Sequence, residues 1–592
     1  MKDLKKPLLI YDGDCGFCER WIGLWKRFTG GTVDYAPSQR VGLDFQEISE
    51  AEFESSVFLV LPSGQIFRGA QAVFRCLAES QENRGISKLW MLYERFSFFR
   101  KLSEVAYAQV ARNRYFFSKL TSFFWGEGSL VSSYQVSRWV FLRALGALYC
   151  VVFLSLGSQL FGLMGSTGIL PAPLSDGHLK LLWALGFGFS LAVILDWIPV
   201  LALLGAWIVH GCFIRWGGEF FAFQWDALMV EMGFLAIFIA PLQIRPEVSW
   251  LSSSLKGSGN PDQDQRTRKT TPSFGVILLL RWLLFRVVFF SGWVKWTSGD
   301  PTWRSGTALS YHFETQPLPT PLAWYLHQLP SWVYPILTWT VLAVELGVPW
   351  MIFLPRRVRH WGCFLLVFLQ VCINLTGNYG FFGWQVATLS LLLIEDGIWK
   401  KIPGMNEVSR RLSWGVQVPE SLLKRRLNWA LVGVVFLITA LGWDLGGSGR
   451  FFREVFHRYG VFAVMTTQRD EIVVEGSWDG ETWLAYDFQH KPGELSRGLS
   501  FLPLHMPRLD WQMWFLPFGD WQSSGWFSSF LVRLLQGQPS VTHLLAHNPF
   551  EGQNPKYVRA LRYRYQFQTE QGGGNWKRQW VGAFTPVVSL QR

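Results

Sequence analysis

Residues 7–28 read "PLLIYDGDCGFCERWIGLWKRF": an apolar run, a glycine-punctuated turn carrying Cys15 and Cys18, then an amphipathic stretch. "PLLIY" predicts a short buried strand, and "CERWIGLWKRF" a helix with Trp21, Leu24, Trp25 and Phe28 on one face. Cys15 then falls at the mouth of that helix, where unpaired N–H groups and the macrodipole favour a thiolate. Cys18, one turn on, is placed to close a disulfide with it.

Working outward, "VDYAP" reads as a second strand. "VFLVLPSGQIFRG" reads as strand, turn at Pro62-Ser63-Gly64, strand, and "AQAVFRCLAE" as a helix. This order is that of a thioredoxin-like α/β unit over residues 1–120, followed by a linker at 121–136. Two other readings of the cysteine pair stand beside a redox one. Half a zinc site lacks a second CxxC, and Cys76 has no nearby His. An inert pair with no exchange partner is the other. No metal or cofactor is expected, since the chain has no CxxCH, GxGxxG or iron–sulfur spacing.

Composition bounds the rest. Of 592 residues 49% are hydrophobic and only 17% charged, against a soluble norm of about 25% charged. That indicates a polytopic membrane protein with attached modules. The net charge of +12 sits in short stretches between apolar runs, as membrane orientation demands. No nucleic-acid motif accompanies it, so no nucleic-acid partner is expected. All seven cysteines lie at or before Cys372, which excludes a disulfide-stapled domain after it. The opening apolar run is too short for a signal peptide, so the N-terminal unit is expected in the cytoplasm.

Nine apolar segments within 137–445 suggest about nine spans: 139–161, 179–195, 197–214, 227–243, 274–293, 333–354, 361–377, 381–395 and 428–443. The pair flanking Asp196 also reads as a re-entrant hairpin. With the N-terminus inside, the inner loops carry Arg245, Lys256, Arg266, Arg268, Lys269, Arg356, Arg357, Arg359, Lys400, Lys401, Arg410, Arg411, Lys424, Arg425 and Arg426. The outer loops carry only Lys180, Arg215, Lys295 and Arg304, the asymmetry of the positive-inside rule. An odd count then puts the C-terminal module on the outer side. Arg143, Glu231, Arg281, Arg286 and Glu345 fall in spans, either lining a pocket or pairing between helices.

The outer loop 303–332, "WRSGTALSYHFETQPLPTPLAWYLHQLPSW", holds four prolines in 317–330 that exclude a regular helix there. His312 and Glu314 are its candidate partner-binding residues. In an extended segment they point to opposite faces, which weakens a proton-transfer pair.

Residues 446–592 change character. "EIVVEGSWDGETWLAYDFQ" signals a hairpin turning at Asp479-Gly480. "RALRYRYQFQTEQGGGNWKRQWVGAF" adds two strands about a glycine-rich loop, with an amphipathic helix at "WFSSFLVRLLQ". A β-rich sandwich with one or two helical insertions is expected. "PRLDWQMWF" (507–515) clusters Arg508, Asp510 and Trp511, either a partner-binding patch or the seam against the membrane.

Two resemblances overlie this reading. "YDGDCGFC", "GQIFRGAQAVFRCL" and "YAQVARNRYFFSKL" resemble the DCC family of thiol–disulfide oxidoreductases over residues 5–120, with Asp14, Cys15 and Cys18 matching the pattern that names it. One departure from ordinary thioredoxins is the missing proline before "SSVFLV". "FQWDALMVEMGFLAIFIAP", "SYHFETQPLPTPLAWYLHQLP", "NLTGNYGFF", "GVFAVMTTQRDEIVVEGSWDGETW", "RLDWQMWF" and "HNPF" resemble the lipase maturation factor family over residues 137–590. That resemblance implies a multi-pass membrane protein helping exported lipase-like clients to fold. The membrane would be the plasma membrane in a bacterium, and the endoplasmic reticulum in animal members.

Three functions follow as expectations. The first is a maturation factor whose outer part holds a client non-covalently, with Cys15 and Cys18 serving a thiol partner on the cytoplasmic side. The second is a membrane thiol oxidoreductase passing electrons to a lipid-soluble acceptor such as a quinone. The third is a scaffold joining two modules without chemistry.

Overall fold

The computed structural model describes residues 4–80, 84–126, 132–244, 246, 268–413, 416–418, 420–441, 455–568 and 574–590. It divides into two units, Met1–Ser133 with Leu354–Arg359, and Tyr134–Phe353 with His360–Arg592.

In the first unit β1 (Leu8–Tyr11), β2 (Asp34–Pro37), β3 (Phe58–Val60) and β4 (Ile66–Arg68) form a sheet in the order β2-β1-β3-β4. β1 is parallel to β2 and antiparallel to β3. Strand alternation sends Leu9 and Tyr11 to one face, and Leu8 and Ile10 to the other. Each face has its own apolar cluster, which is why "LLIY" is apolar throughout. α1 (Gly16–Thr29) and α2 (Gly69–Ala78) cover the Leu9 face. α1 buries Ile22 and Thr29, with Trp25 of the predicted face half-buried against the same cluster, so the covered stripe is turned slightly from the predicted one. Trp21 is left outside, edge-on to Phe17. α3 (Ser97–Arg112) and α4 (Arg114–Trp125) follow, and Arg20 of α1 donates to Ser122 Oγ of α4 at 2.7 Å.

The second unit is built on a helical bundle. Its helices are α5 (Gln135–Gly157), α6 (Asp176–Ile194), α7 (Pro199–Gly217), α8 (Gln224–Ile239), α9 (Phe274–Thr297), α10 (Ala308–Thr315), α11 (Pro321–Leu326), α12 (Val333–Gly347), α13 (Arg356–Thr376), α14 (Phe382–Ser390) and α15 (Leu422–Leu441). Among the described residues six helices are long and apolar enough to cross a membrane: Gln135–Gly157, Asp176–Ile194, Pro199–Phe221, Phe274–Thr297, Val333–Phe353 and Arg356–Thr376. The other three predicted segments are helical but fail that criterion. α8 has 16 residues, Phe382–Leu393 is shorter still, and α15 carries Lys424, Arg425 and Arg426 in its first turns. Of the basic residues counted for orientation, Arg245, Lys256 and Arg266 lie outside the described residues.

Ionisable groups in the bundle are paired, the arrangement that makes them tolerable in apolar surroundings. Arg143 meets Asp196 and Arg286 meets Glu231. Lys295 Nζ reaches both oxygens of Glu345 at 2.6 and 2.7 Å, and Arg281 donates to Leu392 O at 2.8 Å. Asp396 caps the start of α5, accepting from the backbone N–H groups of Gln135, Val136 and Ser137 at 2.8, 2.9 and 3.2 Å. Those are orphan donors of a helix N-terminus.

The C-terminal region shares this unit and one continuous apolar core with the bundle. Beyond the short parallel pair β5 (Arg268–Thr270) and β6 (Val416–Val418), β7 (Arg469–Ser477), β8 (Leu484–Ala485), β11 (Tyr557–Phe567) and β12 (Trp576–Ala583) form an antiparallel sheet in the order β12-β11-β7-β8. β9 (Asp487–Phe488) pairs with β10 (Leu545–His547) in a separate two-stranded ribbon. α16 (Arg508–Phe515) and α17 (Gly525–Leu535) complete it. The region is β-rich as expected, but among the described residues no second large sheet closes a sandwich. Phe527, Phe530, Leu531 and Leu534 of α17 join the shared core beside sheet residues Ile472 and Val558 instead. The turn is at Asp479-Gly480, with Gly480 at φ 84°. Of the predicted glycine-rich loop, residues 569–573 lie outside the described residues.

The connection after α5 docks on this region. Thr167 Oγ1 and Ser540 Oγ are 2.9 Å apart, and Ser529 donates to Ile169 O at 2.6 Å. A Cβ on Gly162 would stand 2.5 Å from Ser540 O, so only glycine fits there.

Candidate functional site: a thiol pair and an apolar cavity

Cys15 is the N-cap of α1, with extended backbone (φ −89°, ψ 95°). Its sulfur accepts from the Cys18 thiol at 2.6 Å and from Cys18 N–H at 3.3 Å. The Cys18 thiol contact, helped by that N–H and the charge of Arg114, brings the Cys15 thiol down to about 6 against partial burial and the Asp12 carboxylate. Cys18 is pushed far up, chiefly because its proton is held by Cys15. The two sulfurs thus differ in kind: a partly exposed thiolate, and a proton-bearing neighbour one turn into the helix. That is the division between attacking and resolving thiols.

The loop before the pair is tied from both sides. Gln39 Nε2 donates to Asp12 Oδ1 at 3.1 Å and to Asp14 Oδ2 at 3.2 Å, and Gln39 Oε1 accepts from Gly13 N–H at 3.0 Å. A Cβ on Gly13 would lie 2.7 Å from Pro37 Cβ and 2.8 Å from Gln39 Oε1, which explains the glycine in "YDGDC". Arg114, at the start of α4, reaches Asp12 at 3.4 Å. Cys76 takes no part: it is fully buried 3.3 Å from Tyr35 Oη, and burial pushes its thiol up to about 12. Among the described residues no cluster of His, Cys, Asp or Glu could hold a metal.

Of the residues proposed from sequence as partner-binding, His312 and Trp511 line one cavity, while Glu314, Arg508 and Asp510 are absorbed in other contacts. Arg508, Asp510 and Trp511 are buried at 2%, 3% and 3% exposure. Arg508 grips Asp226 of α8 with two 2.8 Å bonds. Asp510 accepts from His490 N and Lys491 N at 2.7 and 2.8 Å, and Trp511 Nε1 donates to Asn378 O at 3.1 Å. Glu314 accepts from Phe567 N at 2.8 Å and faces His327 at 3.6 Å. Its segment is helical (α10) rather than extended, and a second short helix, α11, starts on Pro321 at a position where its missing N–H costs nothing. Arg469 fastens the loop between them, donating to Glu314 O at 2.9 Å, to Pro317 O at 2.7 Å and to Gln316 O.

His312 belongs to the wall of a cavity of about 1260 Å³. The walls come from α9, α12, α13 and α14, from the 460–470 segment, and from Trp511, Trp514, Phe515 and Phe518. Local bonding fixes the proton on His312. Gln316 spends its amide N–H groups on Phe313 O and Thr376 O, so its oxygen accepts the single proton of Tyr379, at 2.9 Å. The 3.1 Å contact between Tyr379 Oη and His312 Nε2 therefore has the histidine donating. His312 Nδ1 is left as a buried lone pair without a partner among the described residues. Burial, then the nearby Lys295 charge, holds this imidazole down to about 3.

Arg114, Asp226, Lys295 and Tyr379 were not singled out from sequence. Asp226 alone left a signal there, a carboxylate inside the apolar run "FQWDALMVEMGFLAIFI" that needs a cationic partner.

Residues 172–401 match the profile of a lipase maturation factor transmembrane domain, and residues 455–586 that of a lipase maturation factor C-terminal domain. Residues 9–120 match a DCC1-like thiol-disulfide oxidoreductase. Lipase maturation factor 2 of Mus musculus is 33% identical, covering 78% of this chain and 84% of its own. The Homo sapiens protein of that name is 32% identical over 77% and 83%. Lipase maturation factor 1 of Bos taurus is 29% identical over 78% and 90%. No solved structure matches. The matches cover both the bundle and the sheet region that Arg508 locks to it, and the chain belongs to the lipase maturation factor family, with a DCC1-like domain at its amino end.

Proposed function

We propose that this protein is a membrane-embedded maturation factor for exported, lipase-like proteins, with a thiol–disulfide unit on the opposite, cytoplasmic face. The observation that carries the reading is the relationship to lipase maturation factors over 78% of the chain. No cysteine follows Cys372, so the C-terminal region cannot exchange disulfides with a client. Its assistance is non-covalent, by covering apolar surface that a folding client exposes. Exposed aromatic residues such as Tyr325, Trp332, Phe518 and Trp580 offer contact points. His312, Glu314, Arg508, Asp510 and Trp511 support that surface from within.

Nine crossings fit the contacts better than six. Groups that share a hydrogen bond lie on one side of the membrane, so an even number of crossings separates them. Ile198 N donates to Ile244 O at 3.4 Å, which needs α8 to cross as well as α7. β5 (Arg268–Thr270) pairs with β6 (Val416–Val418), which needs Phe382–Leu393 to cross with α9, α12 and α13. Met465 N donates to Asp300 at 2.6 Å, and α15 must then cross too. The basic residues Lys400, Lys401, Arg410 and Arg411 follow Asp396, which caps α5. This supports an inner position for that end, with the sheet region outside. The strand order β2-β1-β3-β4 supports a thioredoxin-like reading of residues 1–120.

The test is complementation of a deletion strain. Wild-type protein and Cys15→Ser/Cys18→Ser should both restore export of active lipase, while a reporter fused after Arg592 should report the outer side. Loss of export in the double mutant at normal protein levels overturns the non-covalent reading, and a reporter on the inner side overturns the topology.

A further inference from the structure

The 1260 Å³ cavity exceeds the roughly 300–1,000 Å³ that suits a drug-sized ligand. Much of its wall is membrane-spanning helix. Val341 and Val344 of α12, and Leu365, Phe368 and Leu369 of α13, line it. Phe368 is 57% exposed on a helix long and apolar enough to cross the bilayer, so the cavity has a wall in contact with lipid chains.

The four acidic or basic side chains of the lining fall into two ion pairs. Lys295 is matched by Glu345, while Arg562 meets Asp470 at 2.5 Å and Asp470 also takes Arg564, outside the lining, at 3.0 Å. The surplus cation therefore sits at the Asp470 end; at the Lys295 end the charge is spent on Glu345, and an uncompensated anion there is costly. The unpartnered polar atoms point the same way. His312 Nδ1 and Gln370 Oε1 are buried acceptors in lining residues, and an anionic oxygen would meet them as lone pair against lone pair. Trp225 Nε1, an N–H donor of the lining without a hydrogen-bond partner among the described residues, suits an uncharged carbonyl or hydroxyl oxygen. An uncharged group that donates a hydrogen bond suits this wall; a hydroxyl does so without bringing charge.

We propose that the cavity is a lipid-binding site whose occupant is an uncharged long-chain lipid with a free hydroxyl, of the diacylglycerol type, drawn from the surrounding bilayer. The acyl chains lie among α12, α13 and α14, and the hydroxyl end lies towards His312. This site is independent of client folding and stands or falls separately from it.

The experiment uses the full chain in detergent micelles with a diacylglycerol carrying a photoactivatable diazirine in one acyl chain. Labelled peptides should map to 337–345 and 365–373. Excess unlabelled diacylglycerol should cut labelling at least tenfold, while equal mole fractions of phosphatidylglycerol or oleate should leave it within twofold. Val341→Trp, which fills the cavity, should lower labelling at least fivefold. Ile336→Trp, on the same helix but 55% exposed and outside the lining, should not. Equal displacement by phospholipid or oleate, labelling confined to outward residues such as Ile336 and Trp361, or no labelling at all overturns the proposal. Should Val341→Trp fail to fold, displacement on the wild-type protein decides alone.

Discussion

Arg508 and Asp226 are separated by 282 residues in sequence, yet the two guanidinium nitrogens of one sit 2.8 Å from the two carboxylate oxygens of the other, both side chains almost fully buried. This fork joins the sheet region to the helical bundle. The Arg508 plane also lies 3.7 Å from the centre of the Phe221 ring, and the same guanidinium donates to Phe220 O at 2.6 Å. The seam is therefore polar at its centre and aromatic around it.

Removing one partner of such a pair strands the other charge in an apolar setting, which costs about 3–5 kcal/mol. Arg508→Ala is expected to lower the thermal midpoint in detergent sharply and to loosen the sheet region towards protease. Arg508→Met with Asp226→Leu, which removes both charges, is expected to recover most of that loss. Thermal unfolding of the three proteins checks it.

Cys15 should alkylate with a midpoint near pH 6, well below a free thiol at about 8.5. The reactive form is the thiolate, so the rate falls as pH drops through that value and is flat above it. Cys18 should stay unmodified at neutral pH while Cys15 is present. Arg114→Ala removes a stabilising charge and is expected to move the midpoint up. Iodoacetamide rates between pH 4.5 and 9, read by mass spectrometry, measure all three.

Gly13→Ala is expected to disable the pair without touching it. The new methyl meets Pro37 and the Gln39 carboxamide, so the loop must shift and carry Cys15 off the helix mouth. The Cys15 rate should drop towards that of an ordinary thiol, while the melting of the first unit changes little. Equal rates in the variant and the wild type would contradict this account of the glycine.

Asp479 gives an acid-range prediction. Its carboxylate accepts from Glu481 N and Thr482 N at 2.8 Å and from Ser477 Oγ at 2.9 Å. The Thr482 and Glu481 N–H groups above all hold it below the usual carboxylate range. A depressed folded value means the contribution is complete above the unfolded value of about 3.9, and is lost as pH falls from there towards the folded one. The thermal midpoint of wild type should exceed that of Asp479→Asn at pH 6, and the gap should narrow as pH falls from 4 towards 2.

Much of the amino-terminal unit was legible because its determinants are local. Strand, turn, helix and hairpin each carry their own periodicity, and Cys15 and Cys18 are three residues apart. The helix face was misread by a slight turn because Trp21 and Trp25 are equally apolar; only the sheet beneath α1 decides which one is covered. The membrane segments were legible as apolar runs, but hydropathy does not report where a helix ends. Phe382–Leu393 is cut short by turns that apolar composition conceals. Least legible was the cavity. Its lining gathers Val288, His312, Val341, Tyr379 and Phe462 from separate elements, and nothing in the local pattern of any one announces the others. The pairing of Arg508 was invisible for the same reason, since Asp226 lies 282 residues away.

The contacts of Gly162, Thr167 and Ile169 with residues 529 and 540 set a timetable for biogenesis. A nascent chain inserts its first span early, but the connection that follows has no seat until the ribosome has added some three hundred and seventy more residues. At about 5–20 residues per second the interval is roughly twenty seconds to over a minute. For that time the first span and its loop wait in the membrane half-assembled.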